Sequence, residues 1–189
     1  MARSWLLTST FYGNWLPGDP RGFVSRVRDR RDDDEDCAVR LEHDRPGTPY
    51  DEDLPDLWKA AESQMRGPRI HLTKDHAEAL MAQFLETATY RGWELLAAAI
   101  MHNHIHIVVT VPGNPPPAAV LGDFKSYGSR KLNRGWGKRP NGTWWTESGS
   151  KRKLPDESAV ERAVAYVARQ SNPLVVWLPS MVSPGERGS

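Results

Sequence analysis

The run Met101-His102-Asn103-His104-Ile105-His106-Ile107-Val108-Val109 holds residues whose types and spacing can do chemistry. Its β-branched and polar side chains alternate as in a β-strand, and successive strand residues point to opposite faces. His104 and His106 therefore share a face, about 6–7 Å apart along the chain. Neutral imidazole is the commonest nitrogen ligand for divalent metals, so two on one face can share an ion. Alone, the pair would read better as a polar strand face meeting water or carbonyls. A second pair lies downstream, where Tyr166 and Gln170 stand four residues apart beside Val160, Val164 and Val167 at helical spacing. That spacing stacks a phenol and an amide on one flank of a helix. If the valines pack this helix across the histidine strand, two imidazoles, an amide and a tyrosine meet in one site. Tyr127 is a competing phenol, but Lys131, four residues on, cannot ligate a metal while protonated.

The elements that must position these groups follow from periodicity and breakers. Trp5 to Tyr12 reads as a first strand closed by Gly13 and Asn14. Residues 13–69 lose periodicity under repeated Pro and Gly, an irregular insertion. Within it, Val24 to Arg31 extends the strand or begins a loop, and Asp56 to Gln64 suits a short helix. Thr73 caps a helix over Lys74 to Arg91, which Gly92 stops. Trp93 to Met101 is an almost continuous apolar run, as in a central strand. His102 and Asn103 turn it into a strand over His104 to Val111. A helix over Ala118 to Asn133 follows the Pro112–Pro117 breakers, then loop or short strand over Gly135 to Ser150. A last helix runs from Glu157 to Ser171, ended by Asn172-Pro173, with residues 176–189 as a tail. This order predicts a single α+β domain, an antiparallel-dominated sheet with helices on one face and the other face open to a ligand.

Charge is segregated although the formal net charge is only +1. Between Phe124 and Lys153 the bases are Lys125, Arg130, Lys131, Arg134, Lys138, Arg139, Lys151, Arg152 and Lys153, against the single acid Glu147. Acids concentrate instead at Asp32 to Asp36 and Asp51 to Asp53. A basic segment masked by a distant acidic one is compatible with a nucleic-acid face. Lys125, Arg130, Lys131, Arg134, Lys151, Arg152 and Lys153 are the candidate DNA contacts; Trp144 and Trp145 could stack unpaired bases, with core burial the better reading for at least one of them. Cys37 is the only cysteine, so an internal disulfide is excluded and a reducing cytoplasm expected. The apolar run from Leu95 to Met101 is too short to span a bilayer.

The pattern His104-Ile105-His106 after Met101-x-Asn103, followed by Tyr166-x-x-x-Gln170, resembles the HUH single-tyrosine transposases of small insertion sequences. It is also similar to REP-associated tyrosine transposases, whose helix reads Tyr-x-x-x-Asn followed by Pro; Gln170-Ser171-Asn172-Pro173 has elements of both. Phe124-Lys125-Ser126-Tyr127-Gly128-Ser129-Arg130 is similar to the family's basic, serine-rich helix, and Trp144-Trp145-Thr146-Glu147 to its tryptophan segment. The resemblance covers the first strand and residues 70–175. It implies a ferredoxin-like palm, a single-stranded DNA substrate with hairpin or palindromic elements, and Mg²⁺ or Mn²⁺ held by His104, His106 and Gln170. It implies also that Tyr166 attacks phosphorus to form a 5′-phosphotyrosine and free a 3′-hydroxyl. Such enzymes act as homodimers or as monomers, with the tyrosine in trans or in cis.

Two features depart from the family. Its usual proline is replaced by His102, read here as a turn residue. Compact relatives lack the insertion, whose Trp15-Leu16-Pro17-Gly18-Asp19 segment and acidic run suit a lid or DNA clamp; a disordered surface loop over residues 29–53 is as good a reading. Two other functions fit the same residues: a replication-initiator-type nickase, for which 189 residues leave no helicase domain, and an inactive or domesticated nucleic-acid-binding module on the same sheet.

Overall fold

Residues 5–10 alternate buried and partly exposed side chains, as a strand with one face in the core does. The computed structural model describes residues 2–16 and 55–179. The expectations for Val24 to Arg31, for Pro17 to Asp19, for the acidic runs at 32–36 and 51–53, for Cys37 and for the tail beyond Pro179 lie outside them. The chain separates into two compact units, Met1–Asn14 with Arg69–Ser189, and Trp15–Pro68. In the second, helix α1 spans Pro55–Ser63, where a short helix was expected.

The first unit carries strand β1 (Ala2–Thr10), helix α2 (Lys74–Arg91), strands β2 (Glu94–Ile100) and β3 (His104–Pro112), helix α3 (Pro117–Trp136), strand β4 (Ser150–Leu154), helix α4 (Glu157–Ala168) and strand β5 (Val175–Trp177). The sheet order is β4-β1-β3-β2-β5, and every neighbouring pair is antiparallel. The first four strands with α2 and α3 make the expected ferredoxin-like arrangement, to which β5 adds an edge.

The two sheet faces bury different partners. On β3, Ile105, Ile107 and Val109 join Leu7 of β1, Leu80 and Phe84 of α2, and Phe124 and Leu132 of α3 in the larger core. Phe84 and Phe124 meet edge to face at 5.3 Å. The helices approach closely at Gly128, where an added Cβ would stand 2.6 Å from Leu80 Cδ1. The opposite face packs Ala97, Ala99, Met101 and Val108 against Ala159, Ala163 and Val167 of α4. Alternation along β3 puts His104 and His106 on this α4 face.

The helix signals were legible. Thr73 caps α2 in a reciprocal box with His76, and Gly92 ends it in the left-handed region at φ 66°. Asp156 caps α4 by accepting from Ala159 N at 2.7 Å. Boundaries differ from expectation in several places: β1 runs Ala2–Thr10 rather than Trp5 to Tyr12, and α3 continues to Trp136 rather than Asn133. Residues 150–154 are a strand on the sheet edge, and residues 175–177 form β5, taking two residues from the expected tail. Helix α4 stops at Ala168 rather than Ser171, because the chain turns ahead of Asn172 (φ 53°) and Pro173, which cannot continue a helix.

Candidate active site

Small residues bring the last helix to the histidine strand. Ala97 and Ala99 on β2 face Ala159 and Ala163 on α4, so the backbones approach without large side chains between them. The buried stripe of α4 is thus Ala159, Ala163 and Val167, with the expected Val160 and Val164 packed on its flank. This places Tyr166 over β3. Its hydroxyl lies 3.4 Å from His106 Nε2, and the two rings meet at 5.2 Å between centroids. The His104 and His106 rings stand edge to face at 4.9 Å.

Each imidazole is held by its other nitrogen. His104 Nδ1 donates to Asn103 Oδ1 at 2.6 Å, and His106 Nδ1 lies 2.7 Å from Thr8 Oγ1. Thr8 stands opposite His106 in the β1–β3 register, which explains a contact spanning 98 residues. With protons on both Nδ1 atoms, each Nε2 keeps its lone pair. Burial pushes both histidines down to about 4, with the adjacent imidazole (His102 for His104, His104 for His106) contributing second. Both are therefore neutral near pH 7, the state in which imidazole ligates a metal. Two neutral imidazoles held in place by polar partners, with that tautomer, are a donor set suited to a divalent cation.

Gln170 is tied to the tyrosine helix rather than to the histidines. It lies past the end of α4, and its Nε2 donates to Tyr166 O at 3.2 Å. The i, i+4 relation to Tyr166 survives, although the helix does not extend that far. His102 sits in the two-residue turn between β2 and β3, as expected, with Met101 N donating to His104 O. Its ring meets that of His71 at 5.2 Å. Tyr127 lies on α3, in the helix layer against the opposite sheet face.

The candidate DNA residues divide. Trp144 and Trp145 are 1% and 5% exposed, and their rings present no open face to a base. The expectation that they stack unpaired bases is corrected: Trp145 packs on Phe11 at 4.7 Å, while Trp144 donates to Asn133 Oδ1. Lys125 is a clamp, donating through Nζ to Thr146 O and Ser148 O. On β4, Arg152 pairs with Leu6, whose side chain packs on the α4 core, so Arg152 projects on the site face. Lys151 and Lys153 project on the other. Arg130 and Arg134 are exposed on α3, with Lys131 half-buried.

The family model described as "Transposase IS200 like" matches residues 66–170, more than half of the chain. The chain belongs to the IS200-like transposase family. Among curated proteins none matches. Two solved structures are similar to this chain. A REP-associated tyrosine transposase bound to a REP hairpin shares 10% identity at a TM-score of 0.44, covering 87% of this chain and 64% of its own. A protein of Deinococcus radiodurans R1 described as a candidate transposase shares 12% at 0.49, covering 91% and 93%. The chain thus spans less than two thirds of the first of these. No helix among the described residues is long and apolar enough to cross a membrane.

Thr8 and Asn103, which orient the histidines, were not assigned that role from sequence. Asn103 carried a signal, since it is adjacent to the pair and polar in a turn. For Thr8 the only signal is strand register, which the sequence does not display.

Proposed function

We propose that this transposase nicks and rejoins single-stranded DNA at hairpin-forming ends through a covalent link to Tyr166. The observation that carries the reading is the Tyr166 hydroxyl 3.4 Å from His106 Nε2, beside His104 on one sheet face. Hairpin-forming ends are the substrate class implied by the family resemblance. His104, His106 and Gln170 would hold Mg²⁺ or Mn²⁺. When bound, that cation would polarise the scissile phosphate as a Lewis acid and template.

The chain's own residues do the rest. Thr8 and Asn103 hold the imidazole rings in orientation, so no rotation is needed when the phosphate arrives. Tyr166, 49% exposed, can reach a strand entering from solvent and release its proton there. Its oxygen attacks phosphorus, the bond to the 3′ oxygen breaks, and that oxygen leaves as a 3′-hydroxyl. The phosphotyrosine conserves the phosphodiester energy, so a 3′-hydroxyl of another strand can reverse the step without ATP.

The test incubates the protein with 5′-labelled and 3′-labelled single strands carrying a hairpin, plus Mn²⁺, and looks for a denaturant-resistant adduct. The adduct should carry the label 3′ to the nick, map by mass to the Tyr166 peptide and vanish in Tyr166→Phe. His106→Ala and EDTA should abolish it too. An adduct that survives in Tyr166→Phe overturns the nucleophile, and one that survives EDTA overturns the metal.

A further inference from the structure

The helix layer opposite the catalytic face carries an aromatic and basic ladder that the proposed chemistry does not use. Tyr90, in the last turn of α2, is 75% exposed, the largest value among the exposed large hydrophobic residues described. Its ring lies 6.5 Å from that of Tyr127 on α3. The Arg91 guanidinium lies 5.8 Å from the Tyr90 centroid and 5.9 Å from Tyr127. The Arg130 guanidinium lies 5.0 Å from the Tyr127 centroid. Asp123 holds Arg91 in place by an ion pair at 2.9 Å.

Core packing does not account for this arrangement. A phenol that open to water gains little from burial, and the Arg91 guanidinium is already held beside it. Arg134, exposed one turn beyond Arg130, continues the positive charge along α3. Flat aromatic faces interleaved with cations offer stacking for bases and neutralisation for phosphates together. A protein partner would need apolar contact area, which this patch lacks apart from Tyr90. A regular duplex would present phosphates but no open base face to the exposed ring.

We propose that Tyr90, Arg91, Tyr127 and Arg130 form a docking surface for an unpaired nucleic-acid strand, separate from the Tyr166 site. Tyr90 stacks one base, and Arg130 with Arg91 contacts the flanking phosphates. The proposal rests on the reading of the substrate as single-stranded DNA. The strand is thereby gripped on the helix side of the sheet while a distant stretch of it reaches the catalytic side.

The test measures equilibrium binding of a fluorescent single-stranded oligonucleotide by anisotropy, in EDTA so that no cleavage occurs, over a salt series. Tyr90→Ala should weaken binding by roughly tenfold with an unchanged salt slope, the signature of a lost stack. Tyr90→Phe, which keeps the ring, should bind as the wild type does. Arg130→Ala should weaken binding and lower the salt slope by about one. Circular dichroism checks that each variant is folded; Tyr90 is exposed, so its variants should be. Wild-type affinity in Tyr90→Ala, or equal weakness in Tyr90→Phe, overturns the proposal. So does duplex binding as tight as single-strand binding. The same oligonucleotide with Mn²⁺ separates the two readings: a wild-type protein that binds through Tyr90 but forms no adduct sinks the phosphotyrosine reading and leaves this one standing.

Discussion

A single hydroxyl decides how His106 presents its lone pair. Thr8 Oγ1 lies 2.7 Å from Nδ1, and the antiparallel register holds the two residues opposite each other. Without that partner the buried ring loses the group that holds its orientation, and Nε2 is no longer aimed steadily at a ligand. Thr8→Val keeps shape and β propensity while removing the oxygen. Loss of such an orienting hydrogen bond typically costs about 10–100-fold in metal affinity. Mn²⁺ titration followed by paramagnetic resonance should therefore show at least about tenfold weaker binding in Thr8→Val, with Thr8→Ser restoring most of it. Unchanged affinity in Thr8→Val would remove Thr8 from the site. A purely structural role would alter stability without separating Ser from Val.

At the scale of elements, the site exists because α4 lies close to β2. Alanines at 97, 99, 159 and 163 provide that closeness, and Ala163 is buried. Ala163→Leu adds three carbons to a filled space, which typically costs about 1–3 kcal/mol. The strain is relieved by lifting α4, and a displacement of about 1 Å at a reacting group can cost 100-fold in rate. Adduct formation should fall by about that factor, while the urea midpoint drops but the protein still folds. A normal adduct rate in a destabilised Ala163→Leu would mean that the helix position does not limit the chemistry. Which elements were legible follows from the same physics. Thr73 and Gly92 announce helix ends locally, because caps are made within one turn. Strand β4 reads Lys-Arg-Lys at its centre, with no apolar alternation to mark it. It is a strand because β1 pairs with it at the sheet edge, where long cations stay in water. The three residues of β5 are too few for any period.

For the whole molecule, the sequence showed which groups could meet but not the register that makes them meet. His104, His106 and Tyr166 could be read from alternation, helical spacing and family resemblance. The Thr8 contact, the burial of both tryptophans and the clamp by Lys125 depend on segments far apart in the chain. Lys125 makes this dependence measurable as global stability. It ties α3 to the 146–148 segment, and burial pushes its pKa down to about 8, helped by Lys151 and opposed by Glu147. An unfolded lysine titrates near 10.4. The folded state therefore disfavours the charged amine. Below about pH 8 both states hold the proton and the fold carries the full penalty. As pH rises from about 8 to about 10.4 the unfolded state binds more protons, so stability rises with pH. A neutral amine still has two N–H groups for the two carbonyls, so the clamp survives deprotonation. Comparing wild type with Lys125→Met cancels the other titrations. The urea midpoint of the wild type should move upward relative to Lys125→Met between pH 7.5 and pH 10. A difference that stays flat, or moves the other way, would mean that the ammonium is solvated in the folded protein and that the clamp does not hold it from water.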